Sequence, residues 1–255
     1  EGGIGVIAAA MIGMREPDVA QDPVGANSRA LTSEIRKARE LTNGIIGVNI
    51  MVALNNFSQL VQTSLQEQID FIFSGAGLPM DLPKYWRDAC EATQKELRTK
   101  LAPIVSSARA ASLIGRKWMS RFGYVPDAFV LEGPKAGGHL GFKPEDLTDP
   151  GHGLEQVLPE VLDAVKPMED AAGRAVPVIA AGGIFSGFDI RKFLDMGAAG
   201  VQLGTRFVAT HECDADIRFK QAFVDATAED VTIIKSPVGM PGRAINNAFL
   251  ESVTE

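Results

Sequence analysis

The sequence has 255 residues, of which 45% are apolar and 22% charged, with a formal net charge of −7. That length can bury one sizeable core. The acidic balance without a basic run makes the chain a poor candidate for binding nucleic acid or anionic membrane, no apolar stretch reaches the ~20 residues of a membrane span, and no basic-then-apolar leader opens the chain. Cys90 and Cys213 lie far apart without metal-type spacing and read as reduced thiols of a cytoplasmic protein. His211-Glu212-Cys213 alone lacks the four ligands of a structural zinc site, so no metal is expected.

Position 1 is not Met, and Gly2-Gly3-Ile4-Gly5-Val6-Ile7 reads as the run into a strand, so a natural N-terminus is expected upstream of Glu1. Strand signal covers Ile4 to Ala10. Helical spacing follows over Ser28 to Leu41 (Leu31, Ile35, Ala38, Leu41), stopped by Asn43-Gly44. Next come a strand over Ile45–Val52, a helix over Phe57–Gln68, a strand over Ile69–Phe73 closed by Ser74-Gly75-Ala76-Gly77, and a helix over Tyr85–Leu97. A strand over Ala102–Ser106 and a helix over Ala108–Phe122 lead to a strand over Ala128–Leu131, which enters a glycine-rich loop. Leu154–Met168 reads as a helix interrupted in pattern by Pro159. Strand Val176–Ala180, helix Phe188–Met196, strand Gly200–Leu203, helix Asp216–Ala226 and a peripheral strand Val231–Ile234 complete the series, before the turn-rich stretch from Ser236 to Gly242.

Strands separated by helices predict parallel βαβ pairing. Seven barrel strands are found where a TIM (β/α)₈ barrel needs eight, and the eighth is expected upstream of Glu1. The competing fold, a doubly wound sheet, places its phosphate glycines after the first strand. Here the glycine loops follow the late strands, which favours the α/β barrel: a single domain over 1–255 with 209–242 as a cap segment.

Three segments carry chemistry. In Glu132-Gly133-Pro134-Lys135-Ala136-Gly137-Gly138-His139-Leu140-Gly141, small residues surround one imidazole just past an apolar strand, on the catalytic face of a barrel. Histidine moves protons near neutral pH, and His139 is the candidate catalytic base; the bland reading is a solvated surface histidine. Val178-Ile179-Ala180-Ala181-Gly182-Gly183-Ile184 and Gly197-Ala198-Ala199-Gly200-Val201-Gln202-Leu203-Gly204-Thr205-Arg206 are consecutive strands ending in glycine. Barrels hold phosphate at such loops through bare N–H groups and a helix N-terminus; Thr205 would add a hydroxyl and Arg206 a charge. Tight rim turns are the alternative. Asn49, polar within the apolar Gly47-Val48-Asn49-Ile50-Met51, pairs either with a cofactor ring or with neighbouring backbone. His152 reads as solvated, and Met11, Met14 and Met51 as core or pocket lining.

The segments Ala136–Gly141, Ala180–Ile184 and Gln202–Phe207 resemble the nitronate monooxygenase family, formerly called 2-nitropropane dioxygenases, with the flavin-dependent enoyl-acyl-carrier-protein reductases as close relatives. The likeness runs along most of the chain, from Gly2–Ile7 through Gly47-Val48-Asn49 to Arg206-Phe207. It is specific for the superfamily and not for a substrate. It implies an FMN-containing TIM barrel with flavin contacts at Asn49, Gly137, Gly138, Gln202, Leu203, Gly204 and Thr205, phosphate glycines at Gly182 and Gly183, and His139 near flavin and substrate. Glu132 stands where many members carry glutamine, so a carboxylate is expected to face the flavin. The family's first strand and its glycine-rich loop would precede Glu1.

The implied activity is oxidation of a nitroalkane or nitronate, a small-molecule substrate, with O₂. An NAD(P)H-dependent reductase of enoyl-thioester or quinone type, and a non-catalytic phosphate-ligand binder or inactive truncation, stay open as alternatives, as does a homodimer.

Overall fold

Continuous apolar runs too short for helices predict strands, and such strands pair in parallel under covering helices. The computed structural model describes residues 2–94, 96–236 and 239–254. Pro237 and Val238, of the turn-rich stretch expected at 236–242, lie outside the described residues. Two compact units are present: residues 1–105, 109–129 and 165–176 form the first, and 106–108, 130–164 and 177–255 the second.

In the first unit, β1 (Ile4–Ala8), β2 (Ile45–Met51), β3 (Phe71–Gly75) and β4 (Lys100–Val105) alternate with α1 (Pro23–Leu41), α2 (Phe57–Gln66) and α3 (Leu82–Thr93), and α4 (Ala108–Phe122) follows β4. The strands pair in parallel, with Ile4 opposite Ile45, Gly47 opposite Phe71 and Phe71 opposite Lys100. Ile46, Val48 and Ile50 of β2 are buried, as are Leu31 and Ile35 of α1 and Leu60, Val61 and Leu65 of α2. A Cβ on Gly47 would stand 2.6 Å from the Phe73 ring, so glycine is what admits that ring beside β2. Two carboxylates close the lower strand ends. Asp70 accepts from the Ile46 N–H at 2.8 Å and from Arg39 at 2.7 Å, and Asp127 accepts from the Leu101 N–H at 2.9 Å and the Tyr124 hydroxyl at 2.6 Å. Trp118 is fully buried and its indole N–H donates to the Pro79 carbonyl at 3.0 Å.

The chain passes between the units at β5 (Phe129–Glu132), whose first residue belongs to the first unit and the rest to the second. In the second unit come β6 (Gly138–His139), α5 (Leu154–Ala172, ending in the first unit), β7 (Val178–Ala181), α6 (Gly187–Asp195), β8 (Gly200–Gln202), α7 (Ile217–Asp225), β9 (Val231–Lys235), β10 (Pro241–Ile245) and α8 (Ala248–Thr254). The hydrogen-bonded strand order β1-β2-β3-β4-β5-β7-β8 is the βα succession of the TIM-barrel class. β7 and β8 pair in parallel, with Ile179 opposite Gly200, whereas β6, β10 and β9 form a separate antiparallel sheet.

Some expectations shift. α1 begins at Pro23 because Asp22 caps it, its carboxylate accepting from the Gly25 N–H at 2.8 Å with proline in the first turn. α5 continues through Pro159 because Leu154, Val157, Leu158 and Val161 bury one face at helical spacing. Met11 and Met14 are exposed at 65% and 58%, not core or pocket lining; they sit in the 3₁₀ turn after β1, where Gly13 is the buried residue.

Candidate active site

Three strands of the second unit end on residues of one cavity: β5 on Glu132, β7 on Ala181 and β8 on Gln202. The Gly133 N–H donates to the Ala181 carbonyl at 2.8 Å, which ties the turn after β5 to the end of β7. Gly182 and Gly183 follow with φ of +97° and +76°. A Cβ at Gly182 would meet the Gly133 carbonyl oxygen at 3.0 Å, and one at Gly183 would meet the Lys135 Cβ at 2.8 Å. Both the positive φ and the close approach require glycine here. α6 then starts on a capping box, with Ser186 Oγ accepting from the Asp189 N–H and the Asp189 carboxylate accepting from the Ser186 N–H at 2.8 Å. These hydrogen bonds, that from the Ser186 backbone first, hold Asp189 below the usual carboxylate range.

After β8, Gly204 leads into a 3₁₀ turn over Thr205–Phe207. The Arg206 guanidinium lies 4.2 Å from the centre of the Phe185 ring, a cation–π contact between the loops after β7 and β8. The loop after β5 is held by the small sheet. His139 pairs with Gly242 and Gly138 with Arg243, the Leu140 N–H donates to the Pro241 carbonyl at 2.9 Å, and Arg243 Nη1 donates to the carbonyls of Pro134 (2.5 Å) and Ala136 (2.9 Å).

These segments enclose a cavity of about 500 Å³, within the usual size of a ligand pocket. Of the residues singled out in the sequence, Glu132, Gly137, Gly138, Gly182, Gly183, Gln202, Leu203, Gly204 and Thr205 line it. His139 is half-buried on β6 and is not among the lining residues, although its neighbour Gly138 is. Asn49 lies in the first unit, where its carbonyl accepts from the Ala9 N–H at 3.0 Å. His152 is 40% exposed with Nδ1 3.2 Å from Asp149.

Lining residues that sequence reasoning passed over include Lys135, Phe185, Phe223 and Arg243. Lys135 and Phe185 adjoin the glycine motifs and were within reach of that signal. Phe223 and Arg243 come from the C-terminal elements, and no local pattern marks them.

The residues fit a flat, phosphate-bearing group. Around the Cβ positions of Gly138 and Gly204 nothing lies within 4 Å, so both leave open space at the wall. Lys135, Arg206 and Arg243 bring positive charge to the lining. The Glu132 carboxyl has no hydrogen bond or ion pair among the described residues, and burial pushes it up to about 7. Protonated, it is a donor for a ring carbonyl or nitrogen. A second hollow of about 580 Å³, beside α1 and α2, contains none of the glycine turns, and its Arg29 and Arg36 are paired with Asp18 and Glu67.

A parallel α/β chain whose glycine-walled cavity sits at the carboxyl ends of its strands is, in class, a ligand-binding protein of the TIM-barrel type. The Nitronate monooxygenase family model matches residues 1–255, and the chain belongs to that family. It is 28% identical over 252 residues to a (3aS,4S,5R,7aS)-5-hydroxy-7a-methyl-1-oxo-octahydro-1H-indene-4-carboxyl-CoA dehydrogenase of Mycobacterium tuberculosis, covering 99% of this chain and 59% of the relative. It is 26% identical over 231 residues to a probable nitronate monooxygenase of Staphylococcus aureus, covering 90% of this chain and 58% of the relative. The chain therefore spans about three fifths of the length of these relatives. The structure of FabK from Thermotoga maritima superposes with a TM-score of 0.69 at 29% identity, over 89% of this chain and 62% of that one. Among the described residues, no helix is long and apolar enough to cross a membrane.

Proposed function

We propose that the chain is the cofactor-holding part of a flavin-dependent oxidoreductase that binds FMN and oxidises a small nitroalkane or nitronate with O₂, giving a carbonyl compound and nitrite. The observation that carries this reading is the convergence of Glu132, Gly182-Gly183 and Gln202–Thr205 on one cavity in a member of the nitronate monooxygenase family. FMN, when bound, supplies the electron-transfer chemistry. Gly182, Gly183, Gly204 and Thr205 would hold its phosphate, helped by Arg206, and Glu132, Gln202 and Gly138 would border its ring. His139, next to the lining, would accept the α-proton of the neutral nitroalkane or hold the nitronate already formed.

The test of the base role is His139→Ala. Turnover on the neutral nitroalkane should fall at least about 100-fold, the usual worth of a positioned general base, with a much smaller loss on the nitronate. Equal losses reject the role.

A second reading is favoured by the fit to FabK: reduction of an enoyl thioester or quinone at the expense of NAD(P)H, with His139 giving the proton. Anaerobic mixing of the FMN-loaded protein with NADH or NADPH separates the two. Rapid bleaching of the flavin supports the reductase, and bleaching by nitronate alone supports the monooxygenase.

A further inference from the structure

Glu132 is the last residue of β5 and one of the residues that line the cavity. Among the described residues, no hydrogen bond or ion pair stabilises a negative charge on it. The adjoining backbone donor, Gly133 N–H, is taken by the Ala181 carbonyl. The other charged groups of the lining are Lys135 on the same loop, Arg206 after β8 and Arg243 on β10. Arg243 Nη1 is spent on the Pro134 and Ala136 carbonyls, Arg206 lies over the Phe185 ring, and none of the three forms an ion pair with Glu132. His139 is not part of the lining.

We propose that Glu132 is a second proton-exchanging group of this site, giving up and regaining a proton on the cavity side as the charge of the cavity's occupant changes. The chemistry follows from the placement. A carboxyl without donors around it keeps its proton well above the ordinary carboxylate range, and burial pushes this one up to about 7. At neutral pH it can therefore pass the proton from its carboxyl oxygen to a ligand atom on which negative charge develops. The carboxylate left behind faces the cavity shared with Lys135 and Arg206, and it takes a proton back from solvent or from an incoming acid. The inference rests on the flavin reading only for the identity of the occupant.

The experiment is a pH titration followed by carbon-13 NMR of the full chain labelled at glutamate carboxyls, with and without FMN. The Glu132 signal is the one missing in Glu132→Gln; should that variant not fold, Glu132→Asp removes the same signal while keeping an acid. The expected midpoint in the free protein is near 7, and FMN should raise the proton affinity by about tenfold as it displaces water from the carboxyl. A free-protein midpoint in the ordinary carboxylate range overturns the proposal. So does a midpoint that stays put while flavin fluorescence reports binding. If fluorescence shows that FMN does not bind, the flavin reading falls, and the free-protein midpoint alone decides whether Glu132 exchanges a proton near neutrality.

Discussion

A carboxyl at the end of an apolar strand has a measurable thermodynamic signature. Unfolded, Glu132 titrates near its usual 4.5, and folded, near 7. The folded protein holds this proton more tightly, so the group supports the fold fully below pH 4.5, loses that support as pH rises through 7, and changes little above. Glu132→Gln, which mimics the neutral acid, should match the parent protein in stability at pH 4 and exceed it by on the order of 1–3 kcal/mol at pH 8. Denaturant melts at the two pH values check this. The glycines offer a second comparison. Gly182→Ala meets both a φ of +97° and the Gly133 carbonyl oxygen at 3.0 Å, whereas Gly204 has a φ of −122° and open space around its Cβ position. The first substitution should cost about 1–3 kcal/mol. The second should leave stability within about 0.5 kcal/mol, while adding a methyl group at the cavity wall. Thermal melts of the two variants decide it.

Among the elements, the small sheet is the one that holds the glycine-rich loop. Arg243 on β10 ties down the Pro134 and Ala136 carbonyls, and Leu140 is bonded to Pro241. Arg243→Ala should cost about 1–3 kcal/mol, the usual worth of charge-assisted hydrogen bonds and the carbonyls they leave unmet. Amide exchange should accelerate across 136–140 while β2 and β3 stay protected. Unchanged exchange in that loop would show that the sheet holds it without the guanidinium. The same elements mark the limit of what the sequence discloses. The seven barrel strands were legible because each is a short apolar run between helical spacings, although β3 begins at Phe71 and not at Ile69. β6 escaped because two residues carry no periodicity, and β10 because Pro241-Gly242 has poor strand propensity and is held by its pairing partners on both sides. α1 starts at Pro23, ahead of the apolar spacing that begins at Ser28, because the helix-start signal there is Asp22-Pro23 and not periodicity.

For the molecule as a whole, the division into two units states where a ligand should act. The cavity's lining belongs entirely to the second unit. FMN at 100 times its Kd should stabilise the folded protein by about 2.7 kcal/mol. The protection gained in hydrogen exchange should concentrate in 130–140, 180–186 and 200–207. Protection spread evenly over the chain would contradict the assignment of the site. The cavity walls were legible in sequence to the extent that glycine turns wrote them, at 137–138, 182–183 and 204. The cations and aromatic rings completing it come from segments distant along the chain, such as Phe223 and Arg243, and only folding brings them to the glycines.

β10 also sets a timetable. It is the central strand of the small sheet, and the loop it fastens is made about a hundred residues earlier in synthesis. A nascent chain can assemble its parallel strands during synthesis, but one side of the pocket is absent until β10 has been made. A chain stalled ahead of residue 241 would display strand ends and glycine turns with nothing to fasten the histidine-bearing segment.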